Sequence, residues 1–273
     1  MSTHLSKVYV SFIIAVKNDL RSLEIQLDFI DTLKLDTIEF IYSDGESTDG
    51  TVEALTQAAF SDPRVRIATS SRDTGIYNAW NKALPFARGQ YFCFLGADDL
   101  PDEGFILFLA NIIENNSSSK SSPLLVFGNA IESSTGVRRV IKHASIKSFS
   151  ITHLNLLPFH HQGLAHHRDL FVDSKYDEFL KYSGDTEFLI RIRNILNGRI
   201  LYYQGIQVVL GSDGMSKSAS CMRPYFEECG YINKKLGTSI TFSLYWRYIL
   251  LPLSRVTWLF NFLKSSKYIF HKF

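Results

Sequence analysis

The sequence predicts an α/β protein built on an open, mostly parallel sheet, and three observations carry that expectation. Apolar runs of strand length alternate with segments whose apolar residues recur at helical spacing. Polar, Asp- and Gly-rich motifs stand at the ends of three of those runs, where open sheets bind ligands beyond the carboxyl ends of their strands. The chain has 273 residues, 45% hydrophobic and 14% aromatic, which is enough core material for one large domain or a domain with an appendage.

The elements follow in order. VYVSFIIAV (Val8 to Val16) reads as a first core strand: only Lys7 precedes it closely, no small-residue cleavage site follows, and it runs straight into Lys17-Asn18-Asp19, unlike a secretory signal. Leu23, Leu27, Ile30 and Leu33 mark a helix. Ile38 to Tyr42 is a second strand ending at Ser43-Asp44-Gly45, and Thr48-Asp49-Gly50 opens a helix from Thr51. Val65 to Ala68 makes a third strand, a helix runs from about Ile76 to Ala87, and YFCFLG starting at Tyr91 is a fourth, buried strand. The alternation predicts right-handed crossovers between parallel strands. Beyond it come a helix from Glu103 to Glu114, a polar loop NNSSSKSS, a hairpin of Leu124 to Glu132 with Val137 to His143, a helix from Gly184 to Leu196 and a β-rich run from Ile200 to Leu210.

Net charge is only +2, which points to no nucleic-acid partner, but its distribution is uneven. Residues 229–273 hold seven Lys or Arg and no acid, leaving 22 basic against 27 acidic residues before them. Three cysteines, Cys93, Cys221 and Cys229, have no metal-like spacing and suit a reduced compartment without a disulfide framework.

Chemistry concentrates at the strand ends. Asp98-Asp99, closing YFCFLGADD, is either a helix cap ahead of Pro101-Asp102-Glu103 or a clamp for a metal and a diphosphate. Adjacent carboxylates repel each other unless a cation or ligand donors occupy the site. SDGESTDGT places Asp44 where its carboxylate accepts bonds from a base or ribose, or simply caps a turn. RDTGIYNAWNKA starts a helix at Asp73 and Gly75, with Asn81 and Lys82 about two turns in. Neither segment is a Gly-rich phosphate loop. Four histidines, His160, His161, His166 and His167, suggest a metal site, but strand alternation would put His161 and His166 on opposite faces.

Taken in this order, the motifs resemble those of the family 2 glycosyltransferases of GT-A fold, densely over residues 8–105 and in several blocks beyond. The family pattern runs from a strand ending in P-x-Y-N through DGxSTDGT and D-x-GIYDAMNKG to (N/D)ADD. The resemblance implies a GT-A type open mixed sheet with a mostly parallel nucleotide-binding half. It also implies an inverting transfer from a nucleotide-diphosphate sugar, UDP foremost, to a hydroxyl of a glycan or lipid-linked saccharide in surface polysaccharide or lipopolysaccharide synthesis. On it, Ala15, Val16, Asp44, Asp73, Gly75, Asn81, Lys82 and Asp98 would hold the donor nucleotide, and Asp99 with Asp98 a Mn or Mg ion. His161-Gln162 in FHHQG and Ser216 in LGSDGMSKS would lie on the acceptor and diphosphate side. GDTEFLIRI resembles the block that supplies the catalytic base, here Asp185; read by itself Asp185 is more readily a helix cap. Departures are Ala15, Lys17, Asn78, Gly96 and Ser183-Gly184.

The resemblance places the catalytic domain at residues 1–217 and leaves 218–273 as a helical extension. From Thr238 onward that extension mixes aromatics with Lys and Arg, and Arg247, Pro252 and Arg255 break any stretch long enough to span a bilayer. It suits either an anionic membrane surface or packing on the domain or a homodimer partner. A cytoplasmic protein, peripheral at the cytoplasmic face of the membrane, is the corresponding expectation. A polyprenyl-phosphate sugar synthase, whose phosphate acceptor needs less help from a base, and a non-catalytic nucleotide-sugar-binding subunit are the alternatives.

Overall fold

Parallel strands buried on both faces need helices on each side, and the chain supplies them. The computed structural model describes residues 7–116, 122–134, 137–142, 161–211 and 222–238. β1 (Val10–Val16), β2 (Ile38–Asp44), β3 (Val65–Ser70) and β4 (Tyr91–Gly96) alternate with α1 (Leu20–Thr32), α2 (Thr51–Ser61) and α3 (Ile76–Ala83). They pair in the order β3-β2-β1-β4, all parallel. The strand order reverses between β1 and β4, and there the register sets Ala15 beside both Ser43 and Gly96, and Val16 beside Asp44. The carboxyl ends of three strands are therefore level at a topological switch point, the usual ligand crevice of such sheets.

Helix α3 stops at Ala83, short of the expected Ala87, and passes into a 3-10 turn over Leu84–Phe86. Pro85 is the physical reason, since it has no N–H to donate and its ring crowds the preceding turn. After α4 (Glu103–Asn115) the expected hairpin forms as β6 (Leu125–Ser134) and β7 (Val137–Ile141). Two short strands were not foreseen. β8 (Ala165–His167) lies antiparallel between β4 and β6, and β5 (Leu100–Pro101) pairs with β9 (Ile200–Leu210) at the sheet edge. An edge position is where a strand tolerates proline.

Period-two alternation sorts the core into two layers. Phe12, Ile14, Tyr91, Cys93 and Leu95 face α1 and α4 with Leu23, Ile30, Phe105 and Leu109. Ile13, Phe92 and Phe94 face the other way, onto Tyr77, Trp80, Phe188, Leu189 and Ile192 of α3 and α5 (Gly184–Leu196). Within the expected extension, residues 222–236 form α6 (Met222–Leu236), whose Ile232 is wholly buried in this second layer. None of the helices among the described residues is long and apolar enough to cross a membrane.

Candidate active site

Asp44 closes β2 and is 1% exposed. Its Oδ2 accepts from the Glu46 and Ser47 backbone N–H at 3.1 and 3.2 Å and from the Ser70 hydroxyl at 2.7 Å. Its Oδ1 is buried and has no partner within the described residues. A buried carboxylate oxygen without a donor is costly, so this oxygen suits a ligand N–H or O–H. Gly45 lets the next loop close in: a Cβ there would run into the Asp73 carboxylate, with Lys17 beside it. Asp73 turns the chain into α3 by accepting from Gly75 N at 3.0 Å, and Gly75 itself holds φ +144°, a value that favours glycine. Lys82 points back to the same turn, donating to the Arg72 carbonyl at 2.7 Å and the Ser71 hydroxyl at 3.1 Å.

Asn81 differs from its expected role. It is 4% exposed, and its amide is spent on a neighbouring loop. Oδ1 accepts from Tyr176 N at 3.0 Å, and Nδ2 donates to the Tyr176 carbonyl and Glu178 Oε1, both at 2.9 Å. With both amide protons used, it pins that loop to α3 and has no donor left for a nucleotide.

The acid pair is not the cap of α4. That task falls to Asp102, whose Oδ1 accepts from Phe105 N at 3.2 Å. Asp99 is 6% exposed and holds two backbone N–H groups, Gly96 on Oδ2 at 3.0 Å and Gly211 on Oδ1 at 3.2 Å. Asp98 is the more open of the two. Gly96 and Gly211 line it closely: a Cβ on Gly96 would stand 2.8 Å from Asp98 Oδ1, and one on Gly211 would collide with its carboxylate. Gln26, fully buried on α1, ties the turn down by donating to the Gly96 carbonyl at 3.1 Å and the Asp99 carbonyl at 2.7 Å. Its own carbonyl accepts from Tyr42 Oη at 2.8 Å. Among the described residues no group of three or more His, Cys, Asp or Glu could hold a metal ion unaided. Two adjacent carboxylates in a glycine-lined cradle still fit a hard cation that completes its shell with water and phosphate oxygens.

Asp185 sits in the first turn of α5, one residue past Gly184; the cap position belongs to Ser183. Tyr77 Oη donates to Asp185 Oδ1 at 3.3 Å, and Thr186 N donates to the same oxygen at 2.7 Å. Burial raises the Asp185 pKa above the ordinary carboxylate range, and these two bonds oppose the rise without cancelling it. The Tyr77 phenol is likewise pushed well up by burial, then by the Asp185 charge. Helix α3 and the first turn of α5 are thus in direct contact.

The histidines correct the strand reading. His161 and His166 do not face opposite ways: their rings lie 5.3 Å apart. Only residues 165–167 are strand, and His161 belongs to a turn, closed by Leu164 N on the His161 carbonyl, in which Gly163 has φ +75°. His161 is 5% exposed, packed against Trp80 and Phe94, and bonded through Nε2 to Tyr176 Oη at 3.0 Å. Burial holds its pKa down to about 3, so the ring is neutral. His161 is thus part of the aromatic layer under the site. Gln162 offers its backbone carbonyl to Gln207 Nε2 at 2.9 Å. Ser216 lies outside the described residues.

Gln26, Tyr77 and Gly211 were not singled out from the sequence. Gln26 left a signal, as a polar residue on the apolar stripe between Leu23 and Ile30. The Tyr77 bond to Asp185 spans 108 residues and left none.

Solved structures similar to this chain share its fold. S. aureus TarS 1-349 superposes with a TM-score of 0.63 at 17% identity, covering 86% of this chain and 67% of that one. The mannosyltransferase PcManGT from Pyrobaculum calidifontis, in complex with GDP-Man and Mn2+, gives a TM-score of 0.58 at 18% identity over 84% of this chain and 64% of that one. Glucosyl-3-phosphoglycerate synthase from Mycobacterium tuberculosis gives 0.55 at 15% identity over 86% and 82%. The architecture is that of the GT-A glycosyltransferases, an open α/β sheet with its site at the strand ends. Residues 11–153 match the family described as Glycosyl transferase family 2, and the chain belongs to that family. A "PGL/p-HBAD biosynthesis glycosyltransferase" of Mycobacterium bovis is 32% identical over 129 residues, 47% of this chain and 49% of that protein. The chain spans about half the length of the curated relatives it matches.

Proposed function

We propose that this chain moves a sugar from a nucleoside diphosphate donor, a UDP-sugar foremost, to a hydroxyl of a saccharide or lipid-linked saccharide acceptor, inverting the anomeric carbon. The observation that carries the reading is the Tyr77–Asp185 bond, which puts a desolvated carboxyl against the helix that Asp73 and Gly75 begin. Asp44 would take the base or ribose on its unpartnered Oδ1, with Asp73, Lys82, Ala15 and Val16 around it. Asp98 and Asp99 would hold Mn or Mg, oxygen donors side by side in the turn that Gly96 and Gly211 line. When bound, such an ion neutralises charge developing on the leaving diphosphate. Asp185 takes the acceptor hydroxyl's proton as that oxygen bonds to the anomeric carbon, and the bond to the diphosphate oxygen breaks with its electron pair. Burial helps by keeping Asp185 basic enough to accept that proton.

The neighbours lend support from their ligands: TarS has been crystallised with UDP and with UDP-GlcNAc, and glucosyl-3-phosphoglycerate synthase with Mn2+ and UDP-glucose. Asp185→Asn is expected to keep donor binding, seen as thermal stabilisation by the nucleotide sugar with Mn2+, and to abolish transfer. Transfer near the wild-type rate would reject Asp185 as the base and favour a phosphate acceptor.

Residues 239–273 lie outside the described residues, so only composition speaks for a membrane-surface role at the cytoplasmic face. Each basic residue near an anionic leaflet adds about 1 kcal/mol. The full chain should float with anionic liposomes while a chain ending at Thr238 should not; equal behaviour would reject the role.

A further inference from the structure

The turn leading into α5 is held by a helix beyond the residues that match the family. Along α6, Tyr225, Cys229, Ile232 and Leu236 recur at helical spacing, and Glu228 falls on the same face. Cys229 and Ile232 are 1% and 0% exposed, so that face is turned inward. The Glu228 carboxylate reaches three consecutive backbone N–H groups: Lys181 N on Oε1 at 2.7 Å, and Tyr182 N and Ser183 N on Oε2 at 3.0 and 2.9 Å. Ser183 caps α5 by position, yet its side chain makes no capping bond. A carboxylate from another helix instead fixes the three backbone N–H groups that lead up to the helix start.

The next residue, Gly184, packs on Tyr77. A Cβ on Gly184 would stand 2.8 Å from the Tyr77 ring, so the backbone just before Asp185 is held by Tyr77 as well as by the Glu228 anchor. Three further contacts fasten α6 itself. Lys235 Nζ bridges Asp177 at 2.8 Å and Glu187 at 2.9 Å, and Tyr231 Oη donates to Asp177 at 3.1 Å. Asp177 begins the stretch that ends at Ser183, and Glu187 lies two residues past Asp185. The base segment is therefore located from α6 on both flanks.

We propose that Glu228 is a positioning residue for sugar transfer, its carboxylate fixing the 181–183 backbone and thereby the place of the Asp185 carboxyl against the acceptor hydroxyl. The proposal rests on Asp185 being the base. Misplacement of a reacting group by a fraction of an ångström to an ångström is costly to rate while leaving donor contacts elsewhere intact. In Glu228→Gln one oxygen becomes an NH2 that faces backbone N–H donors. In Glu228→Asp the carboxylate is a methylene too short to reach all three.

The test is steady-state release of UDP from UDP-GlcNAc or UDP-glucose, or of GDP from GDP-mannose, with Mn2+ and water as acceptor. It uses the full chain as wild type, Glu228→Gln, Glu228→Asp and Asp185→Asn, on whichever donor the wild type turns over. For Glu228→Gln, kcat should fall about tenfold or more with KM for the donor within about twofold of wild type. Glu228→Asp should show a loss of the same kind, and amide exchange at 181–183 should speed up in both. Folded variants that exchange faster at those amides but keep wild-type kcat overturn the proposal and leave a purely structural carboxylate. If Glu228→Gln fails to fold, wild-type kcat in Glu228→Asp overturns it. Wild-type turnover in Asp185→Asn removes the base reading, and the proposal with it; a dead Asp185→Asn beside an unaffected Glu228→Gln removes the proposal alone.

Discussion

Asp185 is a buried carboxylate whose ionisation weakens the fold that carries it. Its folded pKa lies above the unfolded value of about 3.9, so the folded state binds the proton more tightly. The stability this contributes is present below the unfolded pKa and is lost as pH rises through the folded one. Asp185→Asn should therefore melt at a higher temperature than wild type at neutral pH, and the difference should vanish in acid. Activity has the opposite sense: kcat should decline as pH falls through the raised Asp185 value, above where an ordinary carboxylate would titrate. Asp44 gives a cleaner binding test. Asp44→Asn keeps its shape but removes the charge beside Oδ1, and UDP affinity measured by calorimetry should weaken by about 10–100-fold. The residue types of both positions were plain in the sequence, because acids at strand ends and helix starts are few. The partners that give each its chemistry were not. Tyr77 comes from a helix 108 residues earlier, and Asn81, which reads as a nucleotide contact within its motif, is used up on Tyr176.

Among the elements, those with a clear period were legible and the shortest were not. β1 to β4 follow from short apolar runs bounded by polar turns, and the helices between them from apolar recurrence at helical spacing. β5 and β8, of two and three residues, are too short to show a period, and it was the turn ahead of β8, with Gly163 in it, that brought His161 and His166 to one side. α1 carries a consequence for function through Gln26. Gln26→Leu leaves the Gly96 and Asp99 carbonyls and the Tyr42 hydroxyl without their buried partner. Its unfolding free energy in urea should drop by about 1–3 kcal/mol, and Mn2+-dependent UDP binding should weaken with it. At the end of β9, Gly211→Ala sends a methyl group into the Asp98 carboxylate. Loss of Mn2+-dependent UDP binding with an unchanged circular dichroism spectrum is expected; full binding would show that the β9 end does not shape the acid pair.

For the molecule as a whole, the aromatic layer between the sheet and α3, α5 and α6 sets the response to acid. His161 and His166 are buried there as neutral rings, His166 held below its usual range first by burial and then by the neighbouring His161. Between the unfolded value of about 6.5 and the folded value near 3, the unfolded chain binds more protons, so stability falls as pH drops through that window. His161→Phe should flatten the decline of melting temperature between neutral pH and mild acid, at the cost of the Tyr176 bond. Strand alternation in the sequence already spoke against a four-histidine metal site, for a reason the turn at His161 overturns; the packed structure shows instead that His161, His166 and His167 are buried. The Gln26 clasp has a further meaning at this scale. One amide joins the acid-pair turn to α1 and, through Tyr42, to the centre of β2, all within the largest buried layer. The amide proton of Gly96 is donated to Asp99 inside the turn that Gln26 fastens. Its exchange should be as slow as that of the β1 amides, so that the crevice and the fold open in a single event.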